Sequence, residues 1–287
     1  MKNLVRVIAA AAIAFGAAAP VLAAVPNQTP DVLTGIWWNP NESGWGIHFT
    51  QRRDIVFAAW YTYDGVGAPR WLVASDCRMS KPPPCPSCVS GSACSGTLYE
   101  VNGPRFFNQP FDPSTVKVTP VGSLSVAFGD ANNATMSYQV GNLLRTLPIS
   151  RQVFRGGFTP PAINYTDLWW NSAESGWGLA VTQQFDVMFL AWFAYENTTR
   201  PVWYVASNCI VYVGGNGCSG TLYVTEGPPG PPSSSTFDPS RVDLTPIGDI
   251  SLTFSDANTG ILRYRIEGNS GLVTTSTGEK TITRKTF

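Results

Sequence analysis

Beyond an apolar N-terminal stretch, hydrophobic residues recur in alternation or in short runs, and no window of a dozen residues carries helical spacing. In the first half of the chain the pattern predicts strands at 45–50, 55–63, 70–75, 96–101, 116–119, 123–128, 134–140 and 143–154, rich in aromatic and β-branched residues. Arg52-Arg53-Asp54 and the run Gly-Asp-Ala-Asn-Asn at 129–133 supply turns between them. About eight such strands predict an antiparallel barrel or sandwich, because closure leaves no unpaired edge.

The pattern then repeats. Trp37-Trp38-Asn39-Pro40-Asn41-Glu42-Ser43-Gly44-Trp45-Gly46 recurs as Trp169-Trp170-Asn171-Ser172-Ala173-Glu174-Ser175-Gly176-Trp177-Gly178. Further blocks match in order: Phe57-Ala58-Ala59-Trp60 with Phe189-Leu190-Ala191-Trp192, Cys94-Ser95-Gly96-Thr97-Leu98-Tyr99 with Cys218-Ser219-Gly220-Thr221-Leu222-Tyr223, and Phe111-Asp112-Pro113-Ser114 with Phe237-Asp238-Pro239-Ser240. A duplication of this extent predicts an all-β protein of two tandem up-and-down barrels, at 31–155 and 167–287, joined by a linker at 156–166. One larger shared barrel is the alternative.

Two resemblances follow from these residues. Gly35-Ile36-Trp37 near the first strand and Arg151 in the last resemble the calycin pattern of lipocalins and avidins, which implies an Arg packed over the early Trp. Copy two keeps Trp169 and Arg284 but has Asp167 in place of the Gly. The Trp-Trp-Asn-Pro-x-Glu-Ser-Gly-Trp-Gly block is similar to one in exported proteobacterial proteins of uncharacterised function, and implies location more than activity.

Residues 1–23 fit a secretory signal: Lys2 and Arg6, an Ala-rich apolar run, then Val21-Leu22-Ala23 as a cleavage site. The chain is therefore expected to be exported, periplasmic or extracellular. Nineteen basic residues balance nineteen acidic ones, so nothing in the charge favours a nucleic-acid partner. Membrane insertion is not expected either. Downstream apolar runs are too short for a helix, and Lys285, Thr283 and Thr281 make no lipid-facing band.

Six Cys in an exported chain predict disulfides. Copy two keeps only Cys209 and Cys218, too few for a four-ligand zinc site. The equivalent bridges are then Cys77–Cys94 and Cys209–Cys218, each contributing about 2.5–3 kcal/mol on chain-entropy grounds. Cys85 and Cys88 pair with each other inside an insertion that only copy one carries.

Catalytic chemistry has little to stand on. His48, the lone histidine, faces Ala180 in copy two, so no histidine triad or histidine-rich metal site serves both copies, and no cofactor motif appears. His48 reads as a strand residue without special role. Glu42/Glu174 recur in both copies, and Asp64 is matched by Glu196. A glycosidase would need two such carboxylates facing one cleft. Glu42 is better explained by holding its Ser-Gly turn.

The ten tryptophans form five matched pairs, and strand alternation sends neighbours such as Trp37 and Trp38 to opposite faces. Some rings should therefore lie outside a barrel core and offer flat faces to a ligand. The expected ligand-binding set is Trp38, Glu42, Trp45, Trp60, Tyr63 and Trp71 in copy one, with Trp170, Glu174, Trp177, Trp192, Tyr195 and Trp203 in copy two. Nearby Asn39, Asn41, Ser43, Gln51 and Thr62 suit an uncharged polar ligand. These features favour a non-enzymatic binding protein with two equivalent sites for a glycan or polysaccharide. The alternatives are a secreted inhibitor or scaffold that docks onto a protein partner, and a glycosidase using Glu42 or Glu174.

Overall fold

The computed structural model describes residues 32–80, 91–107, 109–157, 159–196, 199–231, 236–267 and 275–286. The expected signal peptide and the Cys85–Cys88 pair lie outside these residues. Sixteen strands form two closed antiparallel barrels, each with its strands in sequence order. The first comprises β1 (Gly35–Trp38), β2 (Gly46–Arg52), β3 (Ile55–Tyr63), β4 (Pro69–Met79), β5 (Ser92–Asn102), β6 (Lys117–Phe128), β7 (Asn133–Val140) and β8 (Leu143–Arg151). The second comprises β9 (Asp167–Trp170), β10 (Gly178–Gln184), β11 (Val187–Tyr195), β12 (Pro201–Val211), β13 (Gly217–Glu226), β14 (Asp243–Phe254), β15 (Thr259–Ile266) and β16 (Ser276–Arg284). Two barrels, not one shared barrel, are therefore present.

The strands at 116–119 and 123–128 are a single strand, β6. A register shift at Leu98/Tyr99 of β5 accommodates Pro120, which has no N–H to donate and so suits a bulge. The eighth strand is instead β1, too short for an alternation pattern to reveal.

Each barrel closes in the same way. β1 pairs with β8 at Trp37↔Arg151, and β9 with β16 at Trp169↔Arg284. Trp37 is fully buried, its Nε1–H donating to Leu33 O at 3.0 Å, and the Arg151 guanidinium sits 5.0 Å from the ring centroid. Arg151 also donates to the carbonyls of Ala131 and Thr34. Trp169 and Arg284 repeat this, with Tyr165 O as the indole acceptor. Gly35 has φ +129°, and a Cβ there would lie 3.1 Å from the Arg151 guanidinium. In copy two Asp167 takes that place, and its buried carboxylate is held between Arg284 (2.8 Å) and Arg52 of the first barrel (2.6 Å).

The bridges Cys77–Cys94 and Cys209–Cys218 are both formed. They lie where the β4–β5 and β12–β13 ladders shift register. The following Gly is required by close approach: a Cβ on Gly96 or Gly220 would lie 2.9 Å from a facing backbone oxygen.

The barrels are not independent. Tyr61, Tyr63 and Trp71 point outward from β3 and β4 yet are no more than 4% exposed, because Phe193, Tyr195 and Trp203 of β11 and β12 pack against them. Tyr61 lies 4.9 Å from Trp203, and Trp71 lies 5.5 Å from Phe193. The hydrogen bonds are reciprocal: Trp71 Nε1–H donates to Ala194 O (3.2 Å), and Trp203 Nε1–H to Thr62 O (2.7 Å).

The β5–β6 loop then crosses into the second barrel, where Phe106 packs edge-on against Trp177 and Trp192, and Phe107 against Tyr264. Its counterpart, the β13–β14 loop, crosses the other way. Phe237 stacks on Tyr63, Pro231 O accepts from Arg70 at 2.8 Å, and Pro229 and Pro231 face Trp45 and Trp60 at the first barrel's mouth. The space left there is about 10 Å³, room for one water at most. Neither barrel is an open calyx.

His48 lies on this seam, not at an indifferent strand position. Its Nε2 is 3.3 Å from Val181 O of the second barrel and its Nδ1 is 3.4 Å from Thr50 Oγ1. Burial lowers its pKa to about 4, although nearby Asp167 acts in the opposite sense. The unfolded chain therefore binds a proton that the folded one refuses, so stability is full above about pH 6.5 and is lost as pH falls toward 4. Urea titrations across that window should show a loss of about 3 kcal/mol, and His48→Ala, which installs the residue found at 180, should flatten the slope. Removing the plug should be costlier and independent of pH. Phe107→Ala is expected to lower unfolding free energy by about 3–5 kcal/mol, with Gln109→Ala on the exposed part of the same loop close to neutral.

A cleft between the barrels as candidate functional site

Eight of the ten tryptophans are buried; the exceptions are Trp38 and Trp170. Trp45 and Trp60 belong to the first barrel's core, and Trp177 and Trp192 pack on the inserted Phe106. Tyr63, Trp71, Tyr195 and Trp203 lie in the seam. The expected open aromatic face in each copy is thereby reduced to one half-buried ring. Alternation correctly sends the other rings outward, but the neighbouring barrel covers them.

The two glutamates also differ from expectation. Glu42 Oε2 accepts from Trp45 Nε1–H and from Arg145, each at 3.2 Å, and its Oε1 pairs with the same guanidinium. Glu174 accepts from Trp177 Nε1–H at 3.1 Å and pairs with Lys280 at 2.7 Å. Each therefore anchors a tryptophan at a barrel mouth. Turn holding falls to Asn39 and Asn171, whose Oδ1 atoms accept from the backbone N–H two residues on. Asp64 is engaged elsewhere, accepting from Val66 N–H and Ala68 N–H at 2.9 Å. Arg145 and the backbone amides thus occupy the two carboxylates separately.

A recess lined by several aromatic rings, a cleft of about 270 Å³, lies between the barrels. Trp38, Ser43 and Gly44 form its wall on the first barrel, and Phe189, Ser207 and Asn208 its wall on the second. Tyr61, Trp203 and Thr225 make the floor, and the segment leaving β8 closes one side with Gln152, Phe154 and Arg155. That segment is fixed in place: Gln184 Oε1 accepts from Phe154 N–H at 2.9 Å, and Phe154 packs 6.1 Å from Phe189. Arg155 forms a two-pronged ion pair with Asp186 (2.6 and 2.5 Å), so the rim has no unpaired charge at this point.

Tyr61 is the distinctive floor residue. Among the described residues its hydroxyl makes no hydrogen bond. It sits over Gly46, where a Cβ would lie 2.2 Å from the phenol oxygen. Burial holds its pKa well above the usual value for tyrosine, so the hydroxyl stays protonated and can donate.

Of the residues expected from sequence, the cleft gathers Trp38, Trp45 and Trp203; the others lie in barrel interiors, at the barrel mouths or in the seam, except Trp170, which is half-buried beneath Lys285. The cleft also recruits residues that strand patterns gave no reason to single out, namely Gln152, Phe154, Ser207 and Thr225. Among the described residues, no group of three His, Cys, Asp or Glu is placed to hold a metal ion. No helix there is long and apolar enough to cross a membrane. The two disulfides point to an oxidising, exported environment. None of the family models, curated proteins and solved structures compared with this chain matches it.

Because Glu42 neutralises Arg145 at a partly buried mouth, Glu42→Gln should act on stability. The expected loss is about 1–3 kcal/mol, read as a lower urea midpoint at unchanged slope.

Proposed function

We propose that this is an exported, non-enzymatic binding protein whose ligand is an uncharged glycan, held in the cleft between the barrels. The observation that carries the reading is the lining. A half-buried indole, Trp38, stands beside neutral hydrogen-bonding groups, Ser43, Gln152, Ser207 and Asn208, and the rim cation Arg155 is already paired. Aromatic faces suit the apolar side of a sugar ring, and neutral donors and acceptors suit its hydroxyls. A cleft of about 270 Å³ suits one ring with its linkage, and not a long run of a polymer. Turnover finds no comparable support, since Glu42 is held by Arg145 and the Trp45 indole.

The test is a glycan array probed with the mature protein, Trp38→Ala and Trp170→Ala. The expected result is binding by the wild type, at least a tenfold loss in Trp38→Ala, and retention in Trp170→Ala. Equal loss in both variants would move the site away from the cleft. No binding by any of the three would sink the glycan reading and favour docking onto a protein partner.

A further inference from the structure

The duplication supplies most cleft residues with a counterpart in the other copy, and the two sides are not alike. Tyr61 is matched by Phe193, which has no hydroxyl, and Thr225 by Val101. Asn208 is matched by Asp76, whose carboxylate is 3.2 Å from Arg78 Nε. Gln152 is matched by Lys285, whose ammonium lies 3.2 Å from the centroid of the Trp170 ring. The two half-buried indoles therefore meet different neighbours. Trp38 borders the cleft, whereas the face of Trp170 is already covered by a cation from the chain itself.

We infer that the two grooves have diverged into one ligand site and one that the chain fills by itself. The Trp38 groove reads a single sugar hydroxyl through the Tyr61 phenol, while Lys285 closes the Trp170 groove, so each chain takes one glycan. The inference rests on the cleft being the glycan site. Its chemistry follows from what each side lacks. A hydroxyl on the ligand can satisfy the phenol that the fold leaves without a partner, and the Phe193 side offers no such reward. An ammonium seated on an indole face is held by the ring quadrupole, and a neutral sugar must displace it before stacking there.

Isothermal titration with methyl β-D-glucopyranoside, methyl β-D-galactopyranoside and methyl N-acetyl-β-D-glucosaminide, each with its monodeoxy analogues, tests this. The wild type should bind at least one glycoside with a stoichiometry of one. Tyr61→Phe should weaken that glycoside roughly 3- to 10-fold, as expected for one hydrogen bond. One deoxy analogue should bind wild type and Tyr61→Phe equally, a coupling that a merely structural role for the phenol would not produce. The double variant Lys285→Gln/Phe193→Tyr should raise the stoichiometry to two.

A wild-type stoichiometry of two, or a Tyr61→Phe variant that binds as the wild type does, would overturn the inference and leave the glycan reading standing. A double variant that still binds one would overturn the role given to Lys285. Failure of the wild type to bind any of the glycosides would remove both the inference and the reading beneath it.

Discussion

The structure depends on the seam between the barrels. An eight-stranded barrel of this size can hide one face of its strands, and the sequence puts large aromatics on both faces of β3, β11 and β12 and an outward Trp71 on β4. Left in water, the outward set would be a large apolar patch. Mutual packing of the two barrels removes it, and the two indole N–H groups that would otherwise be stranded there each find a carbonyl across the interface. Other features follow from this close approach, including the buried Arg52–Asp167–Arg284 cluster and the desolvated His48.

The exchanged loops extend the same principle into the barrel interiors. Phe106 and Phe107 are fully buried in a barrel to which they do not belong in sequence. The Pro-rich loop of copy two performs the reciprocal service at the other mouth. An eight-stranded barrel has an interior just wide enough for side chains or one small ligand; here the other repeat supplies the filling. Open space is consequently left between the barrels, where the segment leaving β8 adds Gln152, Phe154 and Arg155 to residues of both barrels.

That space is asymmetric because the two copies differ in sequence around it. The repeat preserves whatever closes a barrel: the Trp–Arg stack, the Glu-anchored indole at the mouth, the disulfide and its close-packed glycine. The copies differ at several cleft positions, where Tyr61, Gln152 and Thr225 are matched by Phe193, Lys285 and Val101. The cleft thus combines matched positions, such as Trp38/Trp170 and Ser43/Ser175, with mismatched ones.

Local pattern alone was enough to reveal most of the strands, the barrel class, the repeat and the outer disulfide pairs, because alternation, turn chemistry and cysteine equivalence are properties of neighbouring or duplicated positions; the short β1 and the unbroken β6 escaped it. Trp37 under Arg151 was anticipated only through the resemblance of Gly35-Ile36-Trp37 and Arg151 to a known pattern, since no local spacing links the two ends of a repeat. Tertiary structure decided the rest. Alternation showed that Tyr61, Tyr63 and Trp71 face away from the first core, yet it could not show that a second barrel covers them. Glu42 was visible as a recurring carboxylate, but its partner Arg145 lies seven strands away and no spacing rule connects them. The cleft assembles from β1, β3, the segment after β8, β11, β12 and β13, and none of these carries a motif for it. Sequence periodicity reports which face a side chain takes; only packing determines what that face meets.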